Sequence, residues 1–206
     1  MAMQYLHERF DNFGLDSRLS WRCEPHRWSL DPVNRCLRIE PDGGTDFWQT
    51  THYGFQADNG HLLLARISSD FVVTTGVRCH PVHQYDQAGL MVRISPSCWL
   101  KTSIEYEPDG PSRLGAVVTN QGYSDWSTQP VPAGLREVCL RVRREGTDYL
   151  VEASPEGKDW DQIRMAHLYD DRDGAAVECG LYACSPKGAG YVAEFSFFHI
   201  DVERLP

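Results

Sequence analysis

Length, composition and charge set the first limits on this chain. It has 206 residues, 41% of them hydrophobic, and it includes six Trp, nine Tyr and eight Phe. That is enough apolar bulk for a core, so general disorder is excluded. The net charge of −9 argues against a nucleic-acid partner, because a phosphate backbone normally needs a dense basic surface. Arg141, Arg143 and Arg144 lie in an alternating strand pattern, which favours a solvated sheet face.

The sequence also lacks the signals of a secreted or membrane protein. The first residues show no charged segment followed by an apolar one, and the apolar runs near 62–64 and 71–73 are too short to cross a bilayer. Seven Cys form an odd number without the spacing of a disulfide framework. Free thiols suit a reducing compartment. We therefore expect a cytoplasmic protein without a membrane partner.

In chain order, the apolar residues mostly alternate with polar ones, which is the period of a β-strand. No window of eleven residues has sustained helical spacing, and residues 5–10 fit either a helical turn or a first strand. Turn sequences such as Asp-Gly-Gly at 42–44 and Asp-Asn-Gly at 58–60 separate the strands. Strands at this spacing indicate a sandwich or barrel, formed as one domain over residues 1–206. The predicted strands are 17–23, 36–39, 62–67, 71–79, 87–94, 99–106, 114–119, 138–143, 149–153, 160–165, 177–184 and 192–202.

Several motifs together carry a family resemblance. They are Gly-Thr-Asp-Phe-Trp at 44–48, Thr-His-Tyr-Gly-Phe at 51–55, Tyr-Asp-Gln-Ala-Gly-Leu-Met at 85–91, Trp-Leu-Lys-Thr-Ser-Ile-Glu-Tyr at 99–106 and Tyr-Ser-Asp-Trp-Ser at 123–127. The chain resembles the domain of unknown function 1349 family, which includes the regulation-of-enolase proteins, over about residues 17–202. The resemblance implies an all-β, concanavalin A-like jelly-roll β-sandwich of two antiparallel sheets. It implies no activity, because the family is uncharacterised.

The alternation in the two central predicted strands assigns their faces. If Ala88, Leu90 and Val92 point into the core, the opposite side chains line an outer sheet face. In sandwiches of the resembling fold, the outer face of one sheet is concave and often holds a ligand. The predicted outer face carries Gln87, Arg93, Trp99, Lys101 and Glu105. The alternative is that Lys101 or Arg93 forms an ordinary surface ion pair with Glu105.

The segment 46–61 is unusually rich in aromatic residues for a connection between strands. Trp48, His52 and Tyr53 fit the wall of a site, with Asp46 or His52 supplying polar contacts; the alternative is a loop that packs on the sandwich edge. Phe47 and Phe55 are expected to pack. Trp126 fits either a stacking platform or a cover over the core. The predicted ligand-binding residues are Trp48, His52, Gln87, Arg93, Trp99, Lys101, Glu105 and Trp126.

Aromatic rings beside hydrogen-bonding side chains suit a sugar, so the predicted function is non-catalytic binding or regulation. The expected ligand is a carbohydrate or another small polar metabolite derived from sugar. The resemblance suggests an alternative, a protein-interaction module that regulates a metabolic enzyme such as enolase. A third hypothesis is a glycoside hydrolase that uses Glu105 with Glu107 or Asp86, since hydrolysis needs two carboxyl groups. Pro108 weakens this pair, because proline ends a strand soon after Glu107.

Metals and cofactors are not expected. Cys79, His80 and His83 lie close in sequence, but no second cluster completes a zinc site. The acidic run at 170–174 lacks the spacing of a calcium loop and is interpreted as a solvated turn. No Gly-x-Ser-x-Gly elbow and no phosphate-binding glycine loop is present.

Overall fold

The computed structural model describes residues 2–172 and 174–203. Within these residues the regular structure is all β, with seventeen strands that are numbered here in chain order. They are β1 (Ala2–Glu8), β2 (Ser20–Arg22), β3 (Arg27–Asp31), β4 (Cys36–Glu40), β5 (Phe47–Gln49), β6 (Gln56–Asp58), β7 (His61–Ile67), β8 (Phe71–His80), β9 (Gln87–Ser95), β10 (Cys98–Glu105), β11 (Ser112–Asn120), β12 (Tyr123–Val131), β13 (Glu137–Glu145), β14 (Asp148–Ser154), β15 (Asp161–His167), β16 (Val177–Cys184) and β17 (Val192–Glu203).

Two large antiparallel sheets contain fifteen of these strands. One sheet has the order β15-β14-β13-β8-β17-β4-β3, with β1 also paired to β17. A register shift between Phe195 and Phe197 divides β17, so β4 pairs with its first part and β1 with its second. The other sheet has seven strands in the order β12-β11-β10-β9-β16-β7-β2. The predicted fold, a concanavalin A-like jelly-roll sandwich, is confirmed.

The main core lies between the two sheets and follows from period-two alternation. On the seven-stranded sheet it takes Ala88, Leu90 and Val92 from β9, together with Leu100 and Ile104 from β10. These side chains meet apolar residues of the facing sheet, and nearly all are fully buried. The predicted inward face of β9 and β10 is therefore confirmed, and the alternate residues point to the outer face.

The structure decides one open alternative and corrects two predictions about elements. Residues 5–10, left open between a helical turn and a strand, belong largely to β1. β3 was missed, because Pro32 and Asn34 suggested a continuous turn region before β4. The region around Trp126, interpreted as a loop, is the edge strand β12. Its polar composition suits an edge strand. Pro130 is also tolerated there, because proline has no backbone N–H and an edge strand forms hydrogen bonds along only one side.

The segment between β4 and β7 forms a small hairpin instead of an irregular connection. β5 pairs with β6, with Phe47 opposite Asp58 and Gln49 opposite Gln56. This hairpin lies on the outer face of the seven-stranded sheet, because Phe47 and Trp48 pack against Leu62, Met91 and Trp99 there. A second, smaller apolar cluster thus forms outside the main core.

A buried ion pair closes one end of the sandwich. Arg144 lies on the same face of β13 as Val142, so its side chain points inward. Its guanidinium donates to both carboxylate oxygens of Asp171, at 2.9 and 2.6 Å, and the Tyr149 hydroxyl also donates to that carboxylate. The side chains of Arg144 and Asp171 are 1% and 0% exposed. The prediction of solvated positions is therefore wrong for both residues.

No helix in residues 2–172 and 174–203 is long and apolar enough to cross a membrane. All seven Cys are free thiols, and Cys98, Cys179 and Cys184 are buried. Burial raises the pKa of Cys179 to about 12, so this thiol stays protonated and packs as a small apolar group.

Replacement of Asp171 tests how much the buried pair stabilises the fold. Asp171→Ala leaves the Arg144 charge buried without a partner, so we expect the free energy of unfolding to fall by about 3–5 kcal/mol. Urea denaturation measures the change. Glu156→Ala is the matched control, because it breaks an ion pair with Lys158 in which the Glu156 side chain is 76% exposed, and it should change stability by less than about 0.5 kcal/mol. Equal effects of the two substitutions would contradict this interpretation.

Candidate functional site

A cleft of about 430 Å³ opens on the outer face of the seven-stranded sheet. The β5–β6 hairpin and the loop just before it form one side, with Asp46, Trp48, Tyr53 and Phe55. The sheet forms the floor and the opposite side, with Gln87, Lys101, Glu105 and Trp126. Tyr85 and Lys187, from the loops before β9 and after β16, complete the rim. Segments far apart in sequence therefore meet at this one depression.

Lys101 connects the floor of the cleft to the hairpin. Its ammonium donates to the backbone carbonyl of Phe47 at 2.9 Å and lies 3.6 Å from the nearer carboxylate oxygen of Asp46. The ammonium also lies about 6 Å from the ring centres of Trp99 and Tyr182, within cation–π range. The side chain is 4% exposed. The Lys101 charge is therefore largely neutralised by the protein.

Glu105 is held by a hydrogen-bonded chain of polar side chains. The Tyr182 hydroxyl donates to the amide oxygen of Gln87 at 3.1 Å. The Gln87 amide nitrogen then donates to the backbone carbonyl of Tyr85 at 3.1 Å and to Oε2 of Glu105 at 2.9 Å. This pattern fixes which way the Gln87 amide points. Among the described residues, Oε1 of Glu105 has no hydrogen-bond partner, and it is not sealed from solvent.

Burial changes the acidity of Glu105. It raises the pKa of the carboxyl to about 7 from its usual 4.5, and the negative charges of Asp46 and Glu107 add to the rise. The Lys101 charge and the Gln87 hydrogen bond act in the opposite direction and compensate only in part. Near neutral pH, Glu105 thus exchanges between its neutral and charged forms.

Aromatic rings form much of the cleft wall. Trp48 is 8% exposed and packs edge-on against Tyr53, with ring centres 5.4 Å apart. Tyr53 and Phe55 are 56% and 46% exposed, and Trp126 is 36% exposed. Trp126 stands opposite Val117 in the β11–β12 pairing, which places it on the cleft side of the edge strand. The wall therefore offers several accessible ring surfaces.

Five of the eight predicted ligand-binding residues line this cleft: Trp48, Gln87, Lys101, Glu105 and Trp126. Trp99 does not, because it is fully buried in the apolar cluster beneath the hairpin. Arg93 does not either, because its guanidinium makes two 2.7 Å bonds to the carboxylate of Asp58 and anchors β6. Both residues lie on the predicted face, but the hairpin covers that part of the sheet.

His52 lies at the exposed tip of the hairpin and does not line the cleft. Its backbone is in the left-handed region, with φ of 63°, and its ring packs edge-on against Tyr53 at 4.7 Å. The expectation that Phe55 is a packing residue is wrong, since it is nearly half exposed and lines the cleft. Phe47, by contrast, is 1% exposed and packs as predicted.

Asp86 connects neighbouring loops through hydrogen bonds and does not line the cleft. Its Oδ2 accepts hydrogen bonds from the backbone N–H groups of Val82 and His83, at 2.8 and 2.7 Å. The Ser185 hydroxyl donates to its Oδ1. Asp86 is 1% exposed. Both carboxylate oxygens of Asp86 are thus engaged by the loops at this end of the sheet.

The pairs suggested for hydrolysis do not face each other across the cleft. Glu107 follows the end of β10 and accepts a 2.8 Å bond from Gln84, outside the cleft lining. Of Glu105, Glu107 and Asp86, only Glu105 lines the cleft. The second carboxylate there is Asp46, and its Oδ1 accepts from the backbone N–H of Phe47 at 2.7 Å.

The residues considered for metal binding do not converge. Cys79 accepts a hydrogen bond from the Tyr191 hydroxyl, His80 contacts Glu194, and His83 contacts the carbonyl of Ala189. Asp171 is occupied by Arg144, and Asp173 lies outside the described residues. Across the part of the chain that the structure describes, no group of three or more metal-binding side chains is present.

Sequence reasoning missed Tyr85 and Lys187 altogether. Tyr85 precedes β9 and lies at the cleft rim, where the Lys187 ammonium stands 5.4 Å from its ring centre. The Ser-Pro-Lys-Gly sequence after β16 signals a turn but gives no indication that it reaches the site. Tyr53 and Asp46, considered in the sequence as possible site residues, do line the cleft.

The two packed antiparallel sheets make this chain a β-sandwich of the concanavalin A-like type. Residues 21–202 match the family described as "Protein of unknown function (DUF1349)". The chain belongs to this family, as its motifs predicted.

Relatives and solved structures extend the comparison. The chain is 39% identical over 160 residues to a Saccharomyces cerevisiae protein named Regulation of enolase protein 1, and the alignment covers 78% of each chain. It superimposes with a TM-score of 0.82 on the crystal structure of a functionally unknown Saccharomyces cerevisiae protein, at 33% identity over 92% of this chain and 98% of that one. A GH43 protein from Bacillus licheniformis gives a TM-score of 0.75 at 19% identity, over 96% of this chain and 39% of the other. This last likeness shows the fold alone.

The acidity of Glu105 should appear in the pH dependence of stability. Folding raises its pKa from 4.5 to about 7, so the stabilising contribution of its neutral form is complete below pH 4.5 and is lost as the pH rises through 7. Glu105→Gln keeps a neutral side chain at every pH and should flatten this part of the profile. Urea denaturation from about pH 5 to about pH 8 measures the difference between the two proteins.

Carbon-13 NMR titration of the Glu105 carboxyl provides an independent reading. Glu156, which is exposed, serves as the internal reference carboxyl. A Glu105 midpoint near 4.5, together with parallel stability profiles for the wild type and Glu105→Gln, would refute the buried, proton-retaining carboxyl described above.

Proposed function

We propose that this protein binds a carbohydrate in the cleft on the outer face of its seven-stranded sheet. One observation carries the proposal: aromatic rings from the hairpin, the edge strand and the loop before β9 surround a set of partly buried polar side chains. A sugar ring has apolar C–H faces and a polar periphery, so it needs both kinds of contact at once. An amphipathic ring surface beside a few fixed polar groups meets that need.

The size of the cleft supports a small ligand. About 430 Å³ lies within the range of sites that enclose small molecules, and we expect it to admit one or two sugar rings. Trp126 lies on an edge strand, so a longer glycan has room to continue past the sheet. The proposal is therefore recognition of a short glycan segment.

The polar groups of the cleft suit hydroxyl groups, which both donate and accept hydrogen bonds. Lys101 supplies a donor, and Asp46 and Glu105 supply acceptors. Gln87 is already engaged by Tyr182, Tyr85 and Glu105, so it orients Glu105 and is not itself a contact to ligand. Binding and not hydrolysis is proposed, since only one carboxyl group of each pair expected for hydrolysis lines the cleft.

Substitution at the exposed rings tests the proposal. Trp126→Ala and Phe55→Ala each remove a ring surface from the cleft, and each should weaken sugar binding by about tenfold, or about 1.4 kcal/mol. Isothermal titration and saturation-transfer NMR measure binding to glucose, galactose, mannose, xylose and their disaccharides. Tyr123→Ala is the matched control: it is 63% exposed on the same strand as Trp126 but outside the cleft, and it should bind normally. Absence of binding to every sugar at millimolar concentration would reject the proposal.

A second candidate function is favoured by the name of one relative. Because the Saccharomyces cerevisiae relative is named for regulation of enolase, we propose as an alternative that this chain contacts a metabolic enzyme. The exposed rings of Tyr53, Phe55 and Trp126 at the mouth of the cleft are the surface that such a contact would use, since aromatic residues are enriched at interfaces.

This alternative predicts direct binding to an enolase of the same organism. Purified protein should retain that enolase on a sensor surface, and Phe55→Ser should weaken the interaction by at least tenfold because an interface anchor is removed. Val33→Ser is the control, because Val33 is 90% exposed on another part of the chain and should leave binding unchanged. No detectable binding by the wild type, with sugar binding intact, would favour the carbohydrate proposal.

A further inference from the structure

We infer that the cleft selects uncharged sugars and disfavours sugars that carry a phosphate or a carboxylate, and that Asp46 and Glu105 make this distinction. The inference rests on the proposed carbohydrate function and names the class of ligand within it. Lys101, Asp46 and Glu105 are already partly paired within the protein, and the hydrogen-bonding atoms that they leave free determine which ligands fit.

The cation in the floor is not free to bind an anion. Lys101 donates to the Phe47 carbonyl and lies beside the Asp46 carboxylate. An anionic ligand that approached Lys101 would also approach Asp46, so attraction to one charge is offset by repulsion from the other. Only 4% of the Lys101 side chain is exposed, so a ligand in the cleft can contact only a small part of it. To a ligand in the cleft, Lys101 therefore acts mainly as an N–H hydrogen-bond donor, because the nearby Asp46 carboxylate offsets its positive charge.

The hydrogen-bonding atoms that remain without a protein partner in the cleft are mainly acceptors. Oδ1 of Asp46 accepts from the Phe47 N–H, and Oε2 of Glu105 accepts from Gln87. Among the described residues, the other carboxylate oxygen of each has no hydrogen-bond partner, yet neither oxygen is sealed from solvent. Ligand hydroxyl groups satisfy such oxygens by donating to them. A carboxylate has no proton to donate near neutral pH and a phosphate monoester is mostly dianionic, so either group would place acceptor against acceptor at Asp46 and at the charged form of Glu105.

Several strands and the hairpin bring charged or polar side chains close to Glu105. On β10 itself lies Lys101, and after it Glu107. Arg113 of β11 stands directly opposite Glu105 in the pairing but makes no ion pair with it among the described residues. Asp46 approaches from the hairpin side, while β9 and β16 present the neutral side chains of Gln87 and Tyr182.

Arg113 of β11 and Lys187 have no carboxylate partner among the described residues, and Arg113 lines only a small depression of about 10 Å³ that shares Lys101, Glu105 and Trp126 with the cleft. Lys187 is the one of these two that lines the cleft itself. It is exposed at the rim, with its ammonium over the ring of Tyr85. A phosphate held there would have to extend out of the cleft into solvent, where a single ion pair is weak. We therefore expect Lys187 to be insufficient to overcome the two carboxylates inside.

The test uses matched ligands. A neutral hexose that binds in the sugar panel is compared with its own uronic acid and its 6-phosphate by isothermal titration. The charged forms should bind at least tenfold more weakly. In Glu105→Gln and Asp46→Asn the ratio of neutral to charged affinity should shrink at least threefold, because each change removes a negative charge without changing shape. Glu156→Gln removes an exposed charge on a distant hairpin and should leave the ratio unchanged.

The pH dependence of the relative affinities provides a second test, because unfolding of a variant would not produce it. From about pH 8 to about pH 6, protonation of Glu105 removes a negative charge, so the uronic acid should gain affinity relative to the neutral hexose. This gain should disappear in Glu105→Gln. Stable folding of each variant is checked by its thermal midpoint.

The possible outcomes separate the two proposals. If neutral and charged forms bind equally, or if the 6-phosphate binds more tightly and loses that advantage in Lys187→Met, the inference is overturned while carbohydrate binding stands. If no sugar binds, the proposed function fails and the inference fails with it. If the neutral form is preferred and the preference depends on Asp46 and Glu105, the inference is supported.

Discussion

The outer face of the seven-stranded sheet is itself apolar, and this constrains the rest of the structure. Leu62, Leu64, Met91, Trp99 and Val117 lie on it and are almost fully buried. A sheet with both faces apolar must be covered twice. The eight-stranded sheet covers the inner face, and the short β5–β6 hairpin covers part of the outer face. The cleft exists because the hairpin covers only part of that face.

Charged residues hold this cover in place. Arg93 pairs with Asp58 of β6, and Lys101 bonds to the backbone at Phe47 and lies beside Asp46. Each pair joins a central strand to the hairpin, with a buried cation that would be costly without a partner and a carboxylate that is partly exposed. The same contacts that secure the hairpin leave Glu105 at the open end of the sheet. Packing and electrostatics thus fix the shape and the polarity of the site together.

The sequence predicted the sandwich, most strand positions and the two faces of β9 and β10, because alternation records which side chains are buried. It predicted Gln87, Lys101 and Glu105 as neighbours on one outer face for the same reason, whereas Trp126 was predicted only from its aromatic side chain. It could not show that the hairpin covers Arg93 and Trp99, since alternation distinguishes two faces but not what lies over them. Tyr85 and Lys187 reach the cleft from loops, and their position depends on the Asp86 and Ser185 contacts between segments far apart in sequence.

The edge position of β12 has a consequence for how this protein associates. An exposed edge strand carries unpaired backbone groups that can pair with a strand of another molecule. Here the same strand carries Trp126 at the mouth of the cleft, and Pro130 removes one backbone donor near its end. A strand from a second molecule added along β12 would lie beside Trp126 and narrow the entrance. Strand addition at this edge and entry of a molecule into the cleft would therefore compete for the same side of the protein.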